Sequence, residues 1–228
     1  MVDVLVFSAH PDDAEFGMGG TLCKLKAEGK SIALCVLTKG ECGTYGNPEI
    51  RTQEMQNAAE HLGAELEMLD FADCTIQDTP EARREIARVI RKFTPTVIFA
   101  PWYNNPGSHL SGSAHPDHIA TGQLVRAATR FARFKNADDI TGEAHRVSHV
   151  LYYMLGLYEQ PTVLIDVTKH MDAMQELAKK HESQLAIGGG KVLEYLVSRR
   201  QSVMSKDRLT EGFISPDPLP LSFDTLLE

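Results

Sequence analysis

The feature that most constrains the fold is a regular alternation of short apolar runs with segments of helical character. Apolar runs read as buried strands over residues 2–8, 31–38, 66–71 and 96–100, and the segments between them read as helices over 17–29, 49–62 and 80–92. Gly29 and Gly63 follow two of the helices as stop signals. Strands that alternate with crossover helices pair in parallel. The sequence therefore predicts an α/β fold with an open, mostly parallel sheet flanked by helices.

The second half of the chain continues the pattern after a long polar loop at residues 101–114. Further elements are predicted as a helix at 115–134, strands at 149–157 and 162–166, and helices at 169–186 and 191–204, the last two joined at Gly188-Gly189-Gly190. No internal repeat and no linker interrupts the chain. We therefore expect one Rossmann-like domain that spans residues 1–228.

Composition excludes several classes of partner. The formal net charge is -8, and no basic stripe of the kind that binds nucleic acid or an anionic membrane is present. No apolar run approaches the roughly 18 residues of a membrane span, and the N-terminus lacks the basic start of a signal peptide. We expect a cytoplasmic protein. The four cysteines form no C-x-x-C pair, and three or four of them are expected to be reduced thiols near the core.

Two clusters of His and Asp follow two of the predicted strands. His10-Pro11-Asp12-Asp13 comes after the first strand, and His115-Pro116-Asp117-His118 comes after the fourth, beyond the polar loop. In an open α/β sheet, ligands bind beyond the carboxyl ends of the strands. Each cluster alone is also typical of a loop that turns at Pro and caps a helix with Asp. The position of both clusters at one edge of the sheet favours a shared functional site.

The residue types in these clusters suit a catalytic zinc ion, which takes three His or carboxylate ligands and keeps one position open. His10, Asp13 and His118 can supply them. Adjacent side chains in a loop point apart, so one of Asp12 and Asp13 can bind the metal while the other acts as a base. His115 and His118 share a helix face, so one can bind the metal while the other meets the substrate. Asp117 can fix an imidazole tautomer.

Competing motifs fit less well. Gly17-Met18-Gly19-Gly20 follows a strand, but a dinucleotide fingerprint would need glycine where Leu22 stands. The carboxylates of Asp12, Asp13 and Glu15 would also repel a pyrophosphate there. The segment Gly188-Gly189-Gly190-Lys191 lacks the preceding strand and following Ser or Thr of a P-loop, and no G-x-S-x-G is present.

Several motifs, in order from end to end, together resemble one family. They are Ala9-His10-Pro11-Asp12-Asp13-Ala14-Glu15, Gly17-Met18-Gly19-Gly20-Thr21-Leu22, Thr38-Lys39-Gly40-Glu41, Pro48-Glu49-Ile50-Arg51, His115-Pro116-Asp117-His118, Glu182-Ser183-Gln184 and Glu211-Gly212-Phe213. With them the chain resembles the PIG-L/LmbE-like deacetylases. Within that family it is most similar to the bacillithiol-pathway enzymes that deacetylate N-acetylglucosaminyl-malate.

The resemblance implies a role for each residue of the two clusters. It implies zinc (Zn2+) bound by the metal ligands His10, Asp13 and His118. It implies Asp12 as general base and then acid, His115 as the cation that stabilises the oxyanion, and Asp117 as its modulator. Arg51 and Asp73 are implied to contact the sugar or its aglycone, although an ion pair at a helix start would also explain Arg51. Relatives often assemble as hexamers, so a homo-oligomer is expected.

One departure bears on the substrate. Bacillithiol-pathway relatives often carry Arg immediately before the second cluster, where it can meet the malate carboxylates, and Ala114 stands here instead. The best expectation is deacetylation of an N-acetylglucosamine-containing small molecule, with N-acetylglucosaminyl-malate as the first guess. The alternatives are another N-acetyl sugar, a thiol-conjugate amidase, and a non-catalytic metal-dependent binding protein. Residues 37–50 and 102–114 are predicted to shape the pocket.

Overall fold

The computed structural model of the chain describes residues 1–105, 114–137, 139–156, 159–199 and 207–219. Its strands are β1 (Val4–Ser8), β2 (Ile32–Val36), β3 (Glu65–Met68), β4 (Val97–Pro101), β5 (His149–Tyr153), β6 (Val163–Asp166) and β7 (Thr210–Phe213). Its helices are α1 (Asp13–Ala27), α2 (Pro48–Leu62), α3 (Pro80–Phe93), α4 (Pro116–Phe131), α5 (Met171–Ala178), α6 (Ile187–Gly190) and α7 (Val192–Ser198).

Five strands form a parallel sheet in the order β3-β2-β1-β4-β5. Every residue of β1 and β2 is buried, because helices cover both faces of a parallel sheet and leave no face for polar side chains. The predicted α/β fold is confirmed. The chain order reverses between β1 and β4, and this switch point is where open α/β sheets leave a crevice for ligands.

Two apolar layers hold the helices against the sheet. On one face, Ile86 and Ile90 of α3 and Leu124 of α4 pack with alternate residues of the strands. On the other face, Leu22 of α1 and Met55 of α2 do the same. All five of these side chains are almost completely buried. The 3.6-residue spacing of the apolar positions in α3 explains why this segment forms a helix with one buried side.

The helix boundaries follow capping chemistry. The side chains of Asn47 and Thr79 accept hydrogen bonds from the backbone N–H groups of Ile50 and Ala82, which satisfies donors that have no partner within the helix. Proline occupies the first position of both helices, where its missing N–H costs nothing. Gly63 ends α2 in the left-handed conformation, at φ 69°.

Two predictions about the elements were wrong in detail. The first helix begins at Asp13 and not at residue 17, so the His10 cluster runs directly into α1. The predicted helix 169–186 is broken after α5, because the Glu54 carboxylate binds the N–H and the hydroxyl of Ser183 and holds that segment in a tighter 3-10 turn. The predicted strand 162–166 is present as β6, which lies outside the main sheet and pairs antiparallel with β7.

Three predicted segments are described only in part. The residues that lie outside the described ranges are 157 of the predicted strand 149–157, 106–113 of the predicted pocket loop and 200–204 of the predicted helix 191–204. Across the ranges that are described, no helix combines the length and apolar character needed to cross a membrane. The expectation of three or four thiols near the core was wrong, since only Cys23 and Cys35 are buried and both Cys42 and Cys74 are exposed.

Candidate metal centre at the carboxyl edge of the sheet

The two predicted clusters meet at the switch point of the sheet. β1 ends at Ser8 and β4, its neighbour, ends at Pro101, so the segments that follow them leave the sheet at the same edge. His10 and Asp13 from the first cluster come together with His118 from the first turn of α4, and all three are buried. Sequence positions more than a hundred residues apart therefore form one centre.

The nitrogen and oxygen atoms of these three residues point toward one another. His10 Nδ1 lies 3.2 Å from His118 Nε2, His118 Nε2 lies 3.0 Å from Asp13 Oδ1, and His10 Nδ1 lies 3.6 Å from Asp13 Oδ2. Two ligands about 2.0–2.1 Å from a tetrahedral zinc ion lie about 3.3–3.4 Å apart. The separations suit three ligands of one metal ion, and His115 also places a ring nitrogen within 4.8 Å of those of His10 and His118.

The second ring nitrogen of His10 faces carboxylates. His10 Nε2 lies 3.0 Å from Asp73 Oδ1 and 3.4 Å from Asp117 Oδ2. Histidine ligands of metals commonly donate the N–H of the other nitrogen to a carboxylate, which fixes the tautomer and leaves the first nitrogen free to bind the ion. Asp117 therefore faces His10, whereas the resemblance linked it to His115. Asp73 also lines the cavity, so its predicted contact with substrate stays a prediction.

The charges of the centre favour a bound cation. Burial lowers the pKa of His10, but the charge of Asp13 and hydrogen bonds to Asp117, Asp13 and Asp73 raise it, to about 12. Burial raises the pKa of Asp13, but the charges of His118 and His10 hold it well below its usual range. The ionised carboxylates thus draw positive charge into the space between the imidazoles, and a divalent cation can provide it.

Asp12 lies next to the proposed metal ligands but takes no part in the contacts among His10, Asp13 and His118. It is buried and has a φ of 110°, a strained backbone conformation immediately before α1. Burial and the charge of Asp13 raise its pKa, to about 6, while Arg51, His181 and His10 oppose the rise. A carboxyl group with a pKa close to neutrality can both take and return a proton. This agrees with the predicted role as general base and acid, which stays a prediction.

His115 caps the N-terminus of α4 and remains half-buried at the edge of the cavity. Its Nδ1 accepts a hydrogen bond of 3.2 Å from the backbone N–H of Asp117. Burial and the charges of His10 and His118 lower its pKa. Both observations favour a neutral ring with its hydrogen on Nε2, and this nitrogen can still donate a hydrogen bond to a substrate oxygen. The predicted cationic form stays untested.

Arg51 connects two loops at the floor of the cavity. Its guanidinium donates to the carbonyl oxygens of Gly40 and Pro11, at 2.9 and 2.7 Å, and lies 3.5 Å from Asp12 Oδ1. Gly40 has a φ of 66°, and a Cβ there would lie 1.8 Å from Arg51 Nη1, so only glycine fits. Arg51 is almost fully buried, and its two recorded hydrogen bonds hold these loops, whereas its buried Nε has no hydrogen-bond partner among the described residues. Its predicted contact with substrate stays a prediction.

A cavity of about 810 Å³ opens from the centre. One end is polar and contains His10, Asp12, Asp13, His115 and His118. The rest of the lining comes from β6, β7, α7 and the segments beside them, and it combines apolar residues with the charged residues Glu159, Arg199 and Glu211. These apolar lining residues include Phe16, Leu155, Leu164, Val192 and Leu196. The cavity can therefore hold a polar reactive group beside the candidate metal ligands and a second group beyond it.

Two pairs near the centre were missed by the sequence reasoning. Glu15 Oε2 lies 3.4 Å from His181 Nε2, and both side chains are completely buried. Gly20 and Thr21 donate their backbone N–H groups to the Glu211 carboxylate, at 3.0 and 2.6 Å, because α1 is kinked at Met18. Glu15 and Glu211 both belong to motifs that were recognised, but their partners lie more than 150 residues away and no local pattern indicates them.

Comparison with known proteins gives a consistent result. The family model described as "PIG-L: GlcNAc-PI de-N-acetylase" matches residues 5–129. A diacetylchitobiose deacetylase of Thermococcus kodakarensis is 34% identical over 193 residues, which cover 79% of this chain and 69% of that protein. A probable N-acetyl-α-D-glucosaminyl L-malate deacetylase 2 of Bacillus anthracis is 32% identical over 140 residues, which cover 55% of this chain and 58% of that protein.

A solved structure resembles almost the whole chain. The conserved protein TT1542 from Thermus thermophilus superposes with a TM-score of 0.86 at 34% sequence identity, and the match covers 97% of this chain and 98% of that one. The likeness therefore includes the β6–β7 pair and the segments around α5 and α7, which lie beyond the residues matched by the family model.

Proposed function

The chain belongs to the PIG-L family of de-N-acetylases, and on that premise we propose that it is a zinc-dependent hydrolase that removes the acetyl group from an N-acetylglucosamine-containing small molecule. The observation that carries the proposal is the convergence of His10, Asp13 and His118 at 3.0–3.6 Å beside the buried carboxyl group of Asp12. This arrangement provides a metal site and a proton carrier at one end of a cavity.

The ligand set suits zinc. Two imidazoles and one carboxylate are a common set for catalytic zinc, and they leave the ion with residual positive charge. Zinc bound there would polarise an amide carbonyl and lower the pKa of a water molecule. Asp73 and Asp117 would hold His10 in the tautomer that binds metal through Nδ1.

The residues around the ligands would carry the proton transfers. Asp12 takes the proton of the attacking water and later returns a proton to the nitrogen of the leaving amine, so that acetate and a free amino sugar are formed. His115 donates a hydrogen bond from Nε2 to the carbonyl oxygen as that oxygen gains negative charge. Arg51 holds the loop carbonyls that shape the floor of the site and lies 3.5 Å from Asp12.

The cavity supports a substrate larger than a free monosaccharide. Its volume of about 810 Å³ lies near the top of the range of roughly 300–1,000 Å³ that holds drug-sized ligands. The relatives named for diacetylchitobiose and for the malate conjugate both point to N-acetylglucosamine joined to a second group. Ala114 removes the guanidinium expected for malate, so a sugar aglycone is the first candidate and the malate conjugate of the bacillithiol pathway is the second.

Two alternatives remain. A thiol-conjugate amidase would use the same metal ligands and differ only in the pocket loops. A non-catalytic metal-dependent binding protein would need neither a proton carrier beside the metal nor a hydrogen-bond donor such as His115, and both are present at the cavity. The cytoplasmic location and the homo-oligomer, expected as a hexamer, stay predictions.

The test is acetate release from the zinc-loaded protein. Diacetylchitobiose, N-acetylglucosaminyl-malate and free N-acetylglucosamine are offered side by side, with and without a chelator. We expect chelator-sensitive release from one of the two conjugates at a higher kcat/KM than from the free sugar. Release from the malate conjugate alone would place the protein in bacillithiol biosynthesis. Absence of release from all three would contradict the proposed deacetylase, and cleavage of a thiol-conjugate amide instead would support the amidase.

A further inference from the structure

Two exposed thiols lie next to the candidate metal centre and take no part in the proposed reaction. Cys42 follows β2 in one loop and Cys74 follows β3 in another, and both line the cavity. Their sulfur atoms and a carboxylate oxygen of Asp73 all lie within 4.8 Å of one another. The other two cysteines, Cys23 and Cys35, are buried away from this place.

Asp73 fixes the positions of both thiol-bearing residues. The backbone N–H of Cys42 donates to Asp73 Oδ2, and the backbone N–H of Cys74 donates to Asp73 Oδ1, each at 2.8 Å. The Cys42 thiol also donates to the Asp73 carbonyl oxygen at 3.9 Å. The backbone N–H of Cys74 has a second acceptor, Asp117 Oδ2, at 2.7 Å. The two loops are thus held together before any ligand arrives.

The donor set has a definite chemical preference. Two sulfur atoms and one carboxylate oxygen suit thiophilic cations such as Zn²⁺ and Cd²⁺, whereas Mg²⁺ and Ca²⁺ prefer oxygen alone. Two thiolates bound to zinc at about 2.3 Å would lie about 3.8 Å apart, which is compatible with the observed limit of 4.8 Å. Because both thiols are exposed, a hydrated cation can reach them from the cavity.

We propose that Cys42, Cys74 and Asp73 form a second metal site, selective for thiophilic divalent cations and separate from the site of His10, Asp13 and His118. Each thiol gives up its proton to solvent as it binds the cation, and water completes the coordination. No sulfur belongs to the first site, so the two sites differ in their preference among cations.

Occupation of this site should reduce turnover, a consequence that rests on the proposed function. The cation would stand at the wall of the substrate cavity. It would also bind the carboxylate of Asp73, which accepts a hydrogen bond from His10 Nε2 at 3.0 Å. A second metal ion would therefore both narrow the cavity and weaken the hydrogen bond that orients a ligand of the first metal.

The experiment is a Cd²⁺ titration of full-length protein that already carries one equivalent of zinc. We expect one further equivalent to bind with the near-ultraviolet absorption of cadmium thiolate, because only a site with sulfur ligands produces it. Cys42→Ser and Cys74→Ser should each lose this absorption, while Asp70→Asn, which removes an exposed carboxylate from the same loop, should keep it. Absorption that is absent from the parent protein, or equally strong in both cysteine variants, would overturn the proposal.

A second measurement separates this site from the proposed activity. A trivalent arsenical such as phenylarsine oxide bridges two thiols only when they lie close together, and mass spectrometry of the intact protein counts the adducts. We expect one bridged adduct in the parent protein and none in either cysteine variant. Inhibition of acetate release by Cd²⁺ should weaken in the same variants. If acetate is never released while the absorption and the adduct are found, the metal site stands and only the proposed deacetylation fails.

Discussion

His10 is the residue on which the account of the site depends most. One of its ring nitrogens faces His118 and Asp13, and the other faces Asp73 and Asp117. An imidazole with carboxylates on one side and potential co-ligands on the other has its tautomer fixed by its surroundings. The sequence indicates His10 itself, but not which carboxylates act on it.

The first prediction concerns Asp73. Asp73→Asn should lower the affinity for zinc about 10- to 100-fold, as the loss of a carboxylate behind a histidine ligand commonly does. Competition with a chromophoric chelator measures the affinity. Asp70→Asn is the matched control. Asp70 lies three residues before Asp73 in the chain, and it forms an ion pair with Lys39 at the surface. Equal affinities for the two variants would show that Asp73 does not orient His10.

The second prediction concerns Asp12. Asp12→Asn should reduce kcat by about 10²- to 10⁴-fold, because the amide cannot carry the proton between water and the leaving amine. The zinc content, measured by elemental analysis, should equal that of the parent protein, because Asp12 is not among the proposed ligands. Turnover at the rate of the parent protein would reject Asp12 as the proton carrier. Loss of zinc from Asp12→Asn would instead make Asp12 a ligand.

The residues of the site could be predicted from sequence only where neighbouring residues form a motif. His10, Asp12 and Asp13 are consecutive or nearly so, as are His115, Asp117 and His118, and both groups meet where the strand order predicted. Asp73, which only the family resemblance indicated, is 63 residues from His10, and the thiols of Cys42 and Cys74 lie in different loops. No periodicity links such positions, because loop conformation alone brings them together.

At the scale of elements, α1 connects the site to the C-terminal half of the chain. Its first turn carries Asp13 and Glu15, and Glu15 reaches the buried ring of His181, which lies between α5 and a 3-10 turn. Further along, the kink at Met18 lets the backbone N–H groups of Gly20 and Thr21 donate hydrogen bonds to the carboxylate of Glu211 in β7. Both contacts tie the helix that begins at the metal ligands to elements far along the chain.

The third prediction compares two ion pairs that involve α1 and its C-cap. Glu15→Ala should lower the free energy of unfolding by about 3–5 kcal/mol, since it removes the carboxylate that faces the buried ring of His181. Glu28→Ala, which breaks the surface pair between Lys24 and Glu28, should cost at most about 1 kcal/mol. Denaturant unfolding followed by circular dichroism measures both. A cost for Glu15→Ala no larger than that for Glu28→Ala would show that the buried pair contributes little to stability.

The fourth prediction gives this pair a pH dependence. Burial lowers the pKa of His181, but its interactions with Glu15, Asp12 and Glu54 raise it above the ordinary value of 6.5. A histidine whose pKa is raised on folding adds stability that is complete below pH about 6.5 and is lost as the pH rises through the raised value. The difference between the parent protein and Glu15→Ala should therefore shrink on going to alkaline pH. A difference that grows there would contradict the charged state of His181.

The elements could be predicted well where local signals act alone. Asn47, Thr79 and Gly63 mark helix ends, and the apolar runs of β1 and β2 mark strands buried on both faces. The predicted helix 169–186 fails because a distant carboxylate, Glu54, competes for the backbone at Ser183. The pairing of β6 with β7 joins residues more than 40 positions apart. Such long-range pairings are set by the whole fold and leave no local pattern.

At the scale of the whole molecule, we expect a single domain over residues 1–228. The fifth prediction follows, because one domain of this kind unfolds in one cooperative step. Trp102, the only tryptophan, lies buried just after β4 and reports the environment of the sheet edge. Its fluorescence and the far-ultraviolet circular dichroism should give the same midpoint in a denaturant titration. Two separate midpoints would indicate that part of the chain unfolds independently of the main sheet.

The most direct test of the central claim is whether acetate release depends on one metal ion at this centre. Protein stripped with a chelator should lose release from its preferred N-acetylglucosamine conjugate and regain it with one equivalent of zinc. Asp13→Asn should fail to regain it at that equivalent, because a charged ligand is missing. Undiminished release from metal-free protein, or full recovery of Asp13→Asn, would contradict the assignment of His10, Asp13 and His118 as the ligands of a catalytic ion.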